Sequence, residues 1–174
     1  FTITISAFPT RGLFSKKAEM IDSLSVIVNP ASGRAKPAIK RIDRILSSSN
    51  IQFEILETKA EGEANSLAKE AIRRKVGCVA VYGGDGTVKE VAGALIQTEI
   101  PMAILPGGTG NVLANELGCS GDYEKTCQRI VRNECLNRTI DAGLCNDQCF
   151  VIRISSGYEA EMVKGAKRKL KTQV

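Results

Sequence analysis

The sequence contains no histidine and no tryptophan. Without histidine, neither Ser-His-Asp nor Cys-His catalysis nor any His-containing metal site can be assembled from these residues. Aromatic residues make up only 5% of the chain. With no zinc-finger or RNA-recognition signature either, nothing points to nucleic-acid readout. No apolar run approaches the ~20 residues needed to span a bilayer. The six cysteines, Cys78, Cys119, Cys127, Cys135, Cys145 and Cys149, include no Cys-x-x-Cys pair. They read as scattered reduced thiols of a cytosolic protein rather than as a metal or disulfide framework.

What is present is the composition of a soluble globular protein: 174 residues, 43% apolar and 25% charged, with a net charge of +5. That length suits one domain, or a domain and part of another. The chain starts at Phe1 rather than Met, and Thr2–Met20 is short of acidic residues while carrying Arg11, Lys16 and Lys17. Residues 1–22 therefore read as a flexible N-terminal extension, with a targeting remnant as the alternative. Basic residues cluster again at Lys164, Lys167, Arg168, Lys169 and Lys171. Such a run is ordinarily a solvated helix face, and it also suits peripheral contact with an anionic membrane.

The chain is organised around Gly77–Leu95. Cys78–Tyr82 is a short apolar run with the length of a buried strand. Gly83 and Gly84 break it, Asp85 follows, and Val88, Val91, Ala92 and Leu95 then fall at helical spacing. A helix N-terminus reached through glycines suits an anion, phosphate above all. Asp85 places a negative charge in the same turn, which a magnesium ion, bound directly or through water, would reconcile with phosphate. The plainer alternative is a tight turn in which Asp85 and Thr87 cap the helix. The stretch is neither a Walker A loop nor a dinucleotide fingerprint, which needs a small residue where Lys89 stands.

Leu24–Val28 predicts an earlier strand, followed by the turn Asn29-Pro30-Ala31-Ser32-Gly33 and a helix with Ile39, Ile42, Ile45 and Leu46 inward. Ile51–Leu56 alternates as a more exposed strand ending at Thr58, and Gly62–Arg74 follows as a helix. Ile100–Leu105 is a further strand, leading into Pro106–Asn111 and a short helix that Gly118 ends. Alternating strands and helices predict an α/β fold, a parallel sheet with helices on both faces. Right-handed crossovers then place the three glycine loops along one sheet edge, where ligands of open α/β sheets bind. After a helix over Asp122–Arg132 the rhythm changes: Arg138–Cys145 and Cys149–Ser155 read as a hairpin across 146–148. Gly157–Thr172 reads as helical at its basic end. The expected division is an extension over 1–22, a nucleotide lobe over 23–134 and the start of a β-rich second lobe over 135–174. That lobe is too short to bury its hairpin, so the sequence reads as a fragment.

Asn29-Pro-Ala-Ser-Gly33, Gly83-Gly-Asp-Gly-Thr87 with Glu90, and Pro106-Gly-Gly-Thr-Gly-Asn111, in that order, resemble the catalytic domain of diacylglycerol kinase-like lipid kinases. Ile140–Gly143 and the region around Gly157–Lys171 match more weakly. The resemblance implies a two-lobed enzyme with ATP in the cleft between an α/β lobe and a β-sandwich-like lipid-binding lobe. By position, Asn29, Pro30, Ala31, Ser32, Gly33, Thr58, Gly84, Asp85, Gly86, Thr87, Val88, Lys89, Glu90 and Thr109 would line the nucleotide site. Asp85 would join a water-and-Mg²⁺ network. Many bacterial members have an Asp where this chain has Val112. The family's general base lies in the later part of the second lobe, so no catalytic residue is assigned before Val174.

The implied function is ATP-dependent phosphorylation of a lipid hydroxyl by a cytoplasmic protein working at the membrane periphery. The near alternative is an NAD kinase-like enzyme with a soluble acceptor, because Gly-Gly-Asp-Gly-Thr is shared with that group. A non-catalytic nucleotide-binding module is the distant one. Neither the particular lipid nor the oligomeric state follows from the sequence.

Overall fold

The computed structural model describes residues 1–7, 15–17, 19–33, 35–119, 122–146 and 148–151. The basic run at 164–171, the helix over 157–172 and the end of the last strand lie outside these residues.

The strands are β1 (Thr2–Ala7), β2 (Ser15–Lys17), β3 (Ser23–Val28), β4 (Gln52–Glu57), β5 (Cys78–Gly83), β6 (Met102–Pro106), β7 (Leu136–Asp141), β8 (Gly143–Cys145) and β9 (Gln148–Phe150). The helices are α1 (Ala35–Ser47), α2 (Glu63–Arg73), α3 (Asp85–Leu95), α4 (Val112–Glu116) and α5 (Tyr123–Val131). Seven strands form one sheet in the order β2-β7-β1-β6-β5-β3-β4, and β8 and β9 form a separate hairpin. From β4 to β1 all neighbours are parallel; β7 runs antiparallel to β1 and β2 antiparallel to β7.

Both sheet faces are covered, as the near-continuous apolar strands require. On one face α2, α3 and α4 pack over Ile27, Val79, Val81 and Ile104. On the other, α1 and α5 pack over Val26, Val28, Ala80, Tyr82 and Leu105. Central β5 is buried throughout, whereas edge strand β4 is only half-buried. On the face of β4 turned toward α2, Glu54 accepts from Arg74, at the end of α2, and from Ser25 Oγ.

Two boundaries differ from the sequence expectation. The expected flexible extension over 1–22 holds two strands of the sheet: Thr2–Ala7 is β1, inserted between β6 and β7 with Ile3 and Ile5 fully buried, and Ser15–Lys17 is β2, paired with β7. The sequence signal was there, since Ile3 and Ile5 alternate with threonines in the β-branched pattern of a strand. Second, Leu136–Asp141 does not open a second lobe. It belongs to the main sheet as β7, between β1 and β2, and is paired with β1 along its whole length. The expected strand over Arg138–Cys145 is thus divided at Ala142, and only β8 and β9 leave the sheet. An Ile5→Ala variant should lose about 2–4 kcal/mol, as large-to-small core changes do. A urea titration that finds its midpoint unchanged would contradict the place of β1 in the core.

The strand order fixes where a ligand can bind. From β3 the chain steps outward to β4, then crosses back over β3 to form β5 on its other side. The direction of winding therefore reverses between β3 and β5, and the crevice beyond their carboxyl ends is the topological switch point.

Candidate functional site

The three glycine loops meet at that switch point and touch one another. Asn29, directly after β3, donates from Nδ2 to Thr87 Oγ1 at 3.0 Å, joining the first loop to the first turn of α3. Its Oδ1 accepts from Ala31 N at 2.9 Å, folding the first loop back as an Asx turn. Gly107 N donates to Gly83 O at 3.0 Å, tying the third loop to the second. A side chain on Gly108 would put its Cβ 2.5 Å from Gly84 Cα. At Gly33, whose φ is +53°, a Cβ would run into the carbonyl of Gly107. Glycine is needed at these positions because three backbones approach one another without room for a Cβ.

The start of α3 is left bare. Its first helical hydrogen bond runs from Val88 N to Gly84 O (3.1 Å), so the N–H groups of Gly84, Asp85, Gly86 and Thr87 precede the helical ladder. No side chain caps this end. The two side chains that the capping alternative would use are engaged elsewhere: Thr87 Oγ1 accepts from Asn29, and Asp85 Oδ1 accepts from Val112 N at 2.7 Å. The contrast with α5 is instructive, because there Asp122 caps in the ordinary way, accepting from Glu124 N and Lys125 N. A Cβ on exposed Gly86 would meet no protein atom within 4 Å. The helix end therefore opens onto free space.

Asp85 is the first residue of α3, and its carboxylate sits at the start of α4. Its negative charge is partly answered by Val112 N–H. Position 112 thus meets Asp85 through its backbone, and Val112 as a whole is 45% exposed. Among the described residues no group of three or more acidic or thiol side chains forms a metal cage. One carboxylate, half engaged, could hold a divalent ion only with water or a ligand completing its shell, because the protein alone supplies too few donors.

Two residues not singled out from the sequence hold the loops in shape. Asn111 is left-handed (φ +48°) and bonds Gly108 twice, with Oδ1 accepting from its N–H (2.9 Å) and Nδ2 donating to its carbonyl (2.7 Å). Tyr82 is buried beneath the loops: a Cβ on Gly107 would lie 2.7 Å from its ring, and its hydroxyl faces Gly33. Its ring meets Tyr123 edge-on at 5.4 Å, and burial raises its phenol pKa. The signal for Asn111 was its place after three glycines, since asparagine tolerates the left-handed region. Tyr82 gave none, being one more apolar strand residue.

The other expected site residues are spread more widely. Pro30 and Ala31 are exposed on the first loop and Ser32 is half-buried. Thr58 is buried at the end of β4, its N–H bonded to Val28 O (2.9 Å). Thr109 is exposed at the tip of the third loop. Val88 belongs to the core cluster under α3. Glu90 accepts Asn65 Nδ2 on its backbone carbonyl (2.9 Å), on the side of α3 that meets α2. Lys89 faces the β8–β9 hairpin, with Nζ 3.4 Å from Gln148 Oε1. Burial also raises the pKa of the Cys78, Cys127 and Cys135 thiols, the last to about 11, which suits core packing rather than chemistry.

Beside Asp85 lies a cleft of about 470 Å³ between α3, α4 and the hairpin. Val88, Leu113, Phe150 and Val151 give it an apolar lining, and Asp85 and Lys89 stand along it. Among the described residues no helix is long and apolar enough to cross a membrane.

An open α/β sheet with an uncapped helix start and converging glycine loops at its switch point is the kind of arrangement at which α/β proteins bind phosphate groups. The chain belongs to the diacylglycerol kinase catalytic domain family, whose model matches residues 23–162. An uncharacterised protein of Synechocystis is 34% identical over 162 residues, covering 86% of this chain and 37% of that protein. The diacylglycerol kinase of Bacillus subtilis is 29% identical over 154 residues, covering 86% of this chain and 50% of that one. A crystal structure of a diacylglycerol kinase from Bacillus anthracis is similar with a TM-score of 0.62 at 28% identity, covering 84% of this chain and 53% of that one. The chain therefore spans about half the length of the two kinases and less of the Synechocystis protein.

Proposed function

We propose that this chain is the nucleotide-binding part of an ATP-dependent lipid kinase, which transfers the γ-phosphoryl group of ATP to the hydroxyl of a lipid alcohol. The observation that carries the reading is the bare start of α3, whose capping side chains are both committed elsewhere. Phosphoryl transfer depends on positioning and charge stabilisation more than on covalent help. The N–H groups of Gly84–Thr87 would supply fixed donors to phosphate oxygens, and Thr109 a hydroxyl at the rim. Magnesium, held near Asp85 through water, would neutralise phosphate charge. Asn29–Gly33 and Thr58 would border the nucleotide on the β3 side, and Glu90 and Lys89 would flank it along α3.

Family membership and the apolar cleft at Asp85 both favour a lipid acceptor over NAD, whose ribose and phosphates need polar partners. By the resemblance, the base that takes the hydroxyl proton lies after Val174, so activity belongs to the full-length protein. The basic run at 164–171 would hold that protein at an anionic membrane surface, from the cytoplasmic side.

Gly86→Ala tests the reading. In the protein alone the added methyl touches nothing, and alanine favours the helix, so stability should hold or rise slightly. With phosphate against the bare N–H groups, the methyl intrudes on the ligand. Calorimetry should then find magnesium-dependent ATP binding weakened at least about tenfold, near 1.4 kcal/mol. Unchanged ATP affinity would reduce the stretch to a turn. Phosphorylation of extracted lipids but not of NAD by the full-length protein would separate the two acceptor classes.

A further inference from the structure

Gly93 lies inside α3, two turns beyond Asp85, where glycine weakens a helix and calls for a packing reason. The structure supplies one. A Cβ at Gly93 would come 3.2 Å from Cys149 Cβ and 3.6 Å from Asn65 Nδ2. The buried Cys149 of β9 therefore sits in a notch on α3. The hairpin pairs with no other strand of the described residues, and a lone hairpin is marginal in water. Among the described residues, the element it leans on is α3. Gly143 has a matching role within the hairpin, because only a missing side chain lets the Phe150 ring lie across it. Phe150 and Val151 form one wall of the cleft, and Val88 and Leu113 stand opposite. Gly93 itself does not line the cleft; it governs how close the hairpin wall approaches.

We propose that the Gly93–Cys149 contact sets the width of this cleft, and so selects acceptor alcohols by their bulk beside the hydroxyl. This rests on the lipid-kinase reading for its substrates, but the contact and the cleft do not. A methyl at Gly93 would press on Cys149 Cβ and push β9 outward by a few tenths of an ångström, widening the cleft slightly in favour of bulkier acceptors.

The experiment uses the full-length protein with a long-chain primary alcohol and a two-chain diacylglycerol, each in matched detergent micelles. In Gly93→Ala, the ratio of kcat/KM for the two-chain acceptor over the single-chain one should rise at least fivefold, with KM for ATP unchanged. The double variant Gly93→Ala/Cys149→Gly, which removes the opposing Cβ, should return to within twofold of the original ratio. A ratio unchanged in Gly93→Ala, or a KM for ATP that moves with it, overturns the proposal and leaves the contact purely structural. A second readout is independent of turnover. Photolabelling by diazirine-bearing alcohols, one slim and one branched, should mark the peptide containing Phe150 and Val151. The branched probe should gain relative to the slim one in Gly93→Ala. If the original protein phosphorylates neither alcohol but this labelling shift is seen, the lipid-kinase reading falls and the width gauge stands. If the labelling is the same in both proteins, the gauge falls whatever the enzyme phosphorylates.

Discussion

Asp85→Asn in the full-length protein is expected to lower kcat by about a hundredfold, roughly 2.7 kcal/mol of transition-state stabilisation, while leaving the fold intact. The two substitutions at this position separate its two tasks. Asparagine keeps a side-chain oxygen able to accept from Val112 N, so the tie between α3 and α4 survives. What it removes is the charge that would orient a hydrated magnesium ion beside the phosphates. Asp85→Ala removes both. Because Val112 is partly exposed, its freed N–H can bind water, and the added loss of stability should stay near 1 kcal/mol. For a chain of this size that is a fall in Tm of about 2–4 °C. Thermal unfolding and steady-state kinetics on the two variants test the division. Full kcat in Asp85→Asn would mean that the carboxylate serves only to fasten α4.

Gly108→Ala is expected to be the more damaging change for nucleotide binding, although position 108 carries no functional group. Its Cβ would stand 2.5 Å from Gly84 Cα, 3.3 Å from Gly84 N and 3.1 Å from Asn111 Oδ1. Two of these neighbours are backbone atoms, which cannot swing aside. The second and third loops must separate, and Asn111 must surrender its hold on Gly108. Overpacking of this kind costs about 1–3 kcal/mol in stability. The displaced N–H groups at the start of α3 should weaken ATP binding by about 30–100-fold, equivalent to roughly 2–3 kcal/mol. Gly86→Ala is the matched control, since it adds the same methyl nearby without touching protein. Loss of affinity and of stability together at 108, but of affinity alone at 86, is the expected pattern. A Gly108→Ala protein as stable as the original would show that the loops are not pressed together.

Much of this was legible along the chain. Strands β3, β5 and β6 announced themselves as short apolar runs ending in glycine or proline turns, and α1 to α3 by apolar spacing and flanking glycines. The parallel sheet, and the gathering of three loops at one edge, followed from alternation and handedness alone. The edges of the fold were harder. β1 is hard to see because its six residues stand apart from the βαβ rhythm, and a terminal segment poor in acids resembles a leader. β7 reads as part of a second lobe because a strand's sheet depends on its partner, and its partner β1 lies about 130 residues earlier.

By itself, then, the sequence determined which segments between Leu24 and Arg132 are helix, strand or turn, and that its glycines leave backbone exposed beside a helix start. These are local properties, set by side-chain periodicity and by the φ that each residue tolerates. It left open whether Asp85 and Thr87 cap α3 or leave it bare, because a short polar side chain can satisfy either a near or a distant partner. Tertiary structure decided the matter. Thr87 is bonded to a residue 58 positions away and Asp85 to one 27 positions away. Only the packing of β3, β5 and β6 side by side brings those partners within hydrogen-bond reach, and so frees the helix end for a ligand.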